Sequence, residues 1–252
     1  TPVIRSVQNG PWSAASTWEG GKAPAAASAV LVRSGHTIVY DVKAEHAIRS
    51  LHIAGTLTFA ADRDTQLNAG LIRVQQDEEV SEDGFECDAH IMSDGKTRGS
   101  LLVGTADAPI GAKHKALIRL VMFEGMNPES LPAIVDCGGR MEFHGAEMNR
   151  TWVKLGSTAE KGTATLTLAE PVTGWKVGDK LVIVSTNRQS KHPDKKTFRE
   201  HAHDLTETEE RLIRSVNGTQ ITLDEPLQHT HIVEGRYRGE VANLSRNVIV
   251  ES

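Results

Sequence analysis

Trp12-Ser13-Ala14-Ala15-Ser16-Thr17-Trp18-Glu19-Gly20-Gly21-Lys22-Ala23-Pro24, followed by Ala29-Val30-Leu31-Val32-Arg33-Ser34-Gly35-His36-Thr37-Ile38-Val39-Tyr40-Asp41, decides the reading of the fold. The Gly-Gly pair and the proline set a turn. An apolar β-type run, a glycine turn and a second run follow. Two tryptophans in a Gly/Ser-rich stretch serve either as an anchor that packs the loop or as a flat platform for a ligand. Trp18 is the substrate-binding candidate under the second reading.

Working outward, hydrophobic alternation dominates and helical spacing does not. Apolar runs of mostly four to eight residues occur at 30–33, 37–42, 47–53, 56–60, 71–75, 100–104, 116–123 and onward to 247–251, with glycines such as Gly35, Gly55, Gly70 and Gly104 between them. Residues 199–213 come nearest to a helical stripe and are mostly charged. The class is therefore all-β. Runs that return without helical crossovers suggest the stacked coils of a β-solenoid, and a sandwich stays open on pattern alone. Glycines let such a backbone turn its corners tightly.

Two segments break the pattern. Residues 76–98 form an acidic insert, read as a solvated face or, less readily, as a calcium loop whose spacing does not fit an EF-hand. From 156 to 230 the runs change character: Trp175-Lys176-Val177-Gly178-Asp179 enters an apolar strand, and Asn217-Gly218 between alternating segments signals a hairpin. That region reads as a small inserted β-barrel-like subdomain with a His-rich loop at 187–205. Residues 231–252 return to solenoid-type strand and stop without a cap, as in a piece of a longer chain.

With 252 residues and a net charge of −5, the chain can bury a sizeable core and carries no overall basic field. Nucleic acid and anionic membrane are therefore not expected partners, while a local basic groove for a polyanionic sugar is not excluded. No apolar run approaches the roughly 18 residues of a transmembrane helix. Thr1-Pro2-Val3 has neither a basic nor an apolar leader region, so any signal peptide is expected to have been removed. Cys87 and Cys137 could form one disulfide or remain two buried thiols.

Residues 10–145 resemble the G8 domain, a glycine-rich β module found in cell-surface hyaluronidases, fibrocystin-like receptors and many bacterial exported proteins. Met141-Glu142-Phe143-His144-Gly145, Thr151-Trp152-Val153-Lys154-Leu155, Trp175-x-Val177-Gly178-Asp179, Thr208-Glu209-Glu210-Arg211 and Gly239-Glu240-Val241-x-x-Leu244-Ser245-Arg246-Asn247 resemble, in order, the segment that follows G8 in those proteins. The resemblance implies a right-handed parallel β-helix: a G8-type solenoid over 1–155, the insert over 156–230, and a return to the helix over 231–252. It also implies an exported, extracellular or cell-surface protein, of bacterial type, continuing into further coils of its parent. Two functions follow as expectations. One is a polysaccharide depolymerase of hyaluronidase type; the other is a non-catalytic carbohydrate- or protein-binding module of a larger surface protein. Relatives continue into further coils that bear a His-x-His motif, and this sequence does not include those coils.

Glycosidic cleavage usually needs two carboxylates. Asp41, where the family also places an acid, and Glu240, beside the basic Arg238, are the catalytic candidates, each with a structural reading as turn cap or ion-pair partner. Arg238 is the second substrate-binding candidate. Among eleven histidines, His229-Thr230-His231 places two imidazoles at i and i+2, on one face if the segment is a strand. With His144 they would make a three-imidazole site for Zn²⁺ or Cu²⁺, Ca²⁺ being less suited; the plainer reading bonds them to neighbouring backbone. His201-Ala202-His203-Asp204 and Asp88-Ala89-His90 are lesser candidates. No Gly-x-Ser-x-Gly, Walker-type or dinucleotide motif is present.

Overall fold

The computed structural model describes residues 2–81, 98–187 and 207–252. Cys87, Asp88, His90, His192, His201, His203, Asp204 and most of the acidic insert lie outside the described residues. The chain is all-β, with short 3-10 turns at Ala15–Thr17 and Glu19–Gly21. It divides into two compact units, Thr1–Ala146 with Arg246–Ser252, and Glu147–Ser245.

The first unit holds β1 (Val3–Arg5), β2 (Gly10–Pro11), β3 (Ala29–Val32), β4 (Thr37–Tyr40), β5 (Lys43–Ile53), β6 (Thr56–Phe59), β7 (Thr65–Val74), β8 (Ser100–Val103), β9 (Ala116–Leu120), β10 (Ala133–Asp136) and β11 (Arg140–Phe143). The second holds β12 (Trp152–Lys154), β13 (Thr165–Thr167), β14 (Lys180–Ile183), β15 (Glu209–Asn217), β16 (Gln220–Leu223), β17 (Val233–Glu234), β18 (Tyr237–Arg238) and β19 (Glu240–Asn243). Strand β20 (Val248–Glu251) returns to the first unit.

Up to β8, successive strands of the first unit alternate between two sheets, ordered β1-β3-β5-β7-β9-β20 and β11-β8-β6-β4-β2. Their pairings are parallel. β7 is shared lengthwise, Thr65–Ala69 pairing with β9 and Leu71–Val74 with β10. The registers stack like on like: Val30 on Leu51 on Ile72, Val32 on Ile53 on Val74, and Ile38 on Leu57 on Leu101. Each is wholly buried. Burying an aliphatic side chain this way contributes about 1.5–3 kcal/mol, so the inward rows set the register.

The opening loop is fastened to this stack by aromatic rings. Trp12 meets Trp18 edge-on at 4.8 Å and Tyr40 at 5.0 Å, and Tyr40 lies 5.0 Å from Phe59. The Trp18 indole N–H donates to the Trp12 carbonyl at 2.7 Å. Asn247 fastens the returning strand: its amide group donates to the carbonyls of Ile110, Gly111 and His114, and its side-chain oxygen accepts from Ala146 N–H.

In the second unit six strands run antiparallel in the order β12-β19-β14-β15-β16-β13. The two outer strands then meet. Leu155 and Leu168 form an antiparallel bridge, Gly156 N–H donates to Thr167 O at 2.7 Å, and Ala169 N–H donates to Lys154 O at 2.8 Å. The sheet thereby closes into a small barrel around Leu155, Leu166, Leu181, Ile183, Ile221 and Val241. This unit is wider than 156–230 at both ends because β12 and β19 are two of its strands. The described part of 199–213 is extended and enters β15. The β15–β16 hairpin turns through Gly218-Thr219, with Gly218 at φ +62.

Gly55 shows how tightly neighbouring backbone segments approach. A Cβ there would press against the carbonyl oxygens of Arg33 and His36, both backbone atoms. Gly55→Ala is expected to destabilise the first unit by about 1–3 kcal/mol, the usual cost of forcing an extra methyl into packed structure. Urea unfolding followed on the amide signals of β3 and β5 reads this directly; an unchanged midpoint would contradict it.

Candidate functional site

Strand β12 builds the most distinctive surface of the second unit. Alternation along a strand sends Val153 into the barrel and turns Trp152 and Lys154 outward. Trp152 is 51 % exposed, a large apolar ring left on the surface. It stands in a groove of about 560 Å³ lined with Arg150, Lys154, Glu170 and Arg238. The barrel seam makes the groove, since the Lys154–Ala169 hydrogen bond brings the residues after β13 alongside β12.

Arg150, Glu170 and Arg238 are held in place. The buried Trp175 donates its indole N–H to the Arg150 carbonyl at 2.9 Å, and the Arg150 guanidinium meets Glu170 at 2.6 Å. Arg150 Nε is buried without a hydrogen-bond partner. Arg238 donates to the carbonyls of Gly235 at 3.2 Å and Leu155 at 3.3 Å. Among the described lining residues, three cations thus stand with one carboxylate around an exposed indole.

Several of the residues singled out from the sequence take other roles. Trp18 is 1 % exposed and has no ring face to offer a ligand; the aromatic stack with Trp12 consumes it. Asp41 accepts from Ser13 N–H at 3.0 Å and Ser13 Oγ–H at 2.6 Å, so it caps the tryptophan loop. Glu240 is exposed on β19, opposite Lys154 in register. Asp41 and Glu240 belong to different units. Of the candidates, Arg238 lines the groove. In the sequence Trp152 stands within the family-like segment Thr151–Leu155, where its alternation with Val153 is a usable signal.

The histidines are distributed differently from an i, i+2 strand pair. His229 lies in a bend, with Nδ1 3.8 Å from Glu207. His231 is fully buried, its Nδ1 3.0 Å from the Val184 carbonyl and its Nε2 3.1 Å from Glu209 Oε1. His144, in the first unit, has Nε2 3.5 Å from Glu142. Among the described residues no three His, Cys, Asp or Glu groups stand close enough to hold one metal. With both His231 ring nitrogens engaged by protein acceptors, the donor set does not fit Zn²⁺ or Cu²⁺, and no step is assigned to a metal.

The bend at 228–229 has a clear cause. Glu209 is buried, and its carboxylate accepts Gln228 N–H at 2.8 Å, His229 N–H at 2.9 Å, the His231 ring and the Arg211 guanidinium. Burial pushes this carboxyl upward, but the four donors outweigh it and hold it below the ordinary glutamate value. The stabilisation it supplies is therefore present above the unfolded-state value and is lost as pH falls through the depressed folded one. Glu209→Gln is expected to cost about 3 kcal/mol at neutral pH, because it leaves Arg211 without its anion. That penalty should shrink in acid, where wild type also loses the charge. Urea midpoints of β14 and β15 amide signals at pH 7 and pH 3 check this; a penalty independent of pH would contradict it.

Residues 17–156, more than half of the chain, match the G8 domain family. Fibrocystin-L of Homo sapiens is 31% identical over 255 residues, covering 95% of this chain and 5% of that protein. A G8 domain-containing protein of Dictyostelium discoideum is 31% identical over 119 residues, 47% of this chain and 9% of that one. Fibrocystin of Canis lupus familiaris is 22% identical over 237 residues, 88% and 5% respectively. Among solved structures, the tailspike of Pseudomonas phage phi297 aligns with a TM-score of 0.31 and 14% identity, over 85% of this chain and 23% of that one. The chain spans 5–6% of the length of the fibrocystin-type relatives it matches.

Proposed function

The chain belongs to the G8 domain family, and from that premise we propose that it is a polysaccharide-binding module of a larger extracellular or cell-surface protein. For the first unit we propose the right-handed parallel β-helix that the resemblance implies; its stacked parallel registers support this. The carrying observation for function is the exposed Trp152 ring set among Arg150, Lys154 and Arg238. A flat indole stacks against the apolar face of a sugar ring, and fixed guanidinium groups pair with carboxylates in a fork geometry. On a chain of net charge −5, a basic groove around an aromatic platform favours an acidic sugar such as a uronate.

Binding is better supported than hydrolysis. Among the described residues that line the groove Glu170 is the single carboxylate, and Arg150 engages it. A glycosidase of the common kind needs one carboxylic acid and a second, ionised carboxylate flanking the scissile bond.

Titration calorimetry with oligogalacturonate tests the reading. Trp152→Ala is expected to weaken binding at least about tenfold, as loss of a central aromatic anchor does. Arg238→Ala should weaken it too, and added salt should weaken wild-type binding by screening. Wild type that binds no acidic oligosaccharide, or Trp152→Ala that binds as wild type does, would overturn it.

A further inference from the structure

A second concavity of the same unit, of about 950 Å³, is lined by Lys161, Asn187, Glu207, Gln228, His229 and Tyr237. It is of ordinary ligand-pocket size. Strand β18 presents adjacent residues to different places, Arg238 to the Trp152 groove and Tyr237 to this pocket. We infer that the pocket is a separate subsite for a neutral pyranose ring.

Three features carry the inference. Tyr237 is 52 % exposed, yet its hydroxyl donates to the Thr186 carbonyl at 2.6 Å, so the ring is a fixed platform with a face open to solvent. Beside it, Asn187 Nδ2 donates to Glu207 Oε1 at 2.9 Å, and His229 Nδ1 stands 3.8 Å from the same oxygen. An amide and a carboxylate held side by side offer donors and acceptors together, which is what adjacent sugar hydroxyls require. Finally, Gln228 and His229 hang by their backbone N–H groups from the buried Glu209 carboxylate, so this wall is built rather than incidental.

The charge balance separates this pocket from the groove. Here Lys161 stands with Glu207 and Glu234, so no basic field selects an anion. Ile232 also lines the pocket and adds apolar surface to it. A neutral ligand rich in hydroxyls and with one apolar face meets all of these groups.

The test is an NMR titration of the full chain with methyl β-glucoside and N-acetylglucosamine, with galacturonate and inorganic phosphate as charged comparators. Saturable shifts at Asn187, Gln228, His229 and Tyr237 are expected with a neutral sugar in the millimolar range, typical of one weakly held ring. They should persist in Trp152→Ala, weaken severalfold in Tyr237→Phe, which keeps the ring but loses its hydroxyl anchor, and vanish in Tyr237→Ala. Because Trp152→Ala removes only the groove's platform, failure of this inference and failure of the groove reading are distinguishable. No saturable shift with either neutral sugar, undiminished binding by a folded Tyr237→Ala variant, or preference for galacturonate or phosphate at these residues would each overturn it.

Discussion

Closure of the barrel at Leu155 and Leu168 is the constraint on which the second unit's surface depends. An open six-stranded sheet would leave β12 and β13 as bare edges with unpaired backbone groups. Joining them satisfies those groups and buries Leu155, Leu166 and Leu168 in one core. It also leaves a seam on the outside. Trp152 and Lys154 emerge on one side of it and Glu170 on the other, while the Leu155 carbonyl holds Arg238 beside them. The groove is thus a by-product of strand pairing, and the backbone carbonyls that hold Arg238 lower the ordering cost of binding there.

The two units solve the burial problem in different ways. The first stacks parallel strands in two sheets, so that similar inward rows support one another, and fastens its loops with aromatic rings and with asparagine amides such as Asn247. Its surface follows from repetition. The second is antiparallel and contains buried charge. Glu209 gathers donors from Arg211 and from the 228–231 segment, and so decides the path of backbone that lines the larger pocket. A buried carboxylate is costly unless it is fully bonded, which is why four donors converge on it.

Much of the architecture was legible from alternation. The runs at 30–33, 37–42, 56–60 and 100–104 match β3, β4, β6 and β8, because inward rows must be apolar whatever lies beyond them. The Trp12–Trp18 pair was legible as a loop anchor, but which tryptophan faces solvent was decided by tertiary placement: Trp18 by its neighbours Trp12 and Tyr40, Trp152 by a seam between distant strands. Glu209 was hidden within the charged run Thr208-Glu209-Glu210-Arg211, since its backbone donors lie 19 and 20 residues away. The His229–His231 spacing implied a shared strand face; the bend that Glu209 imposes removes that periodicity.

The most direct test is a crystal structure of the chain with a bound uronic-acid oligosaccharide. A sugar ring stacked on Trp152, with its carboxylate within hydrogen-bond reach of Arg150, Lys154 or Arg238, is the expected result. Sugar bound on the coils of the first unit, with the Trp152 face bare at saturating ligand, would contradict the assignment of the groove.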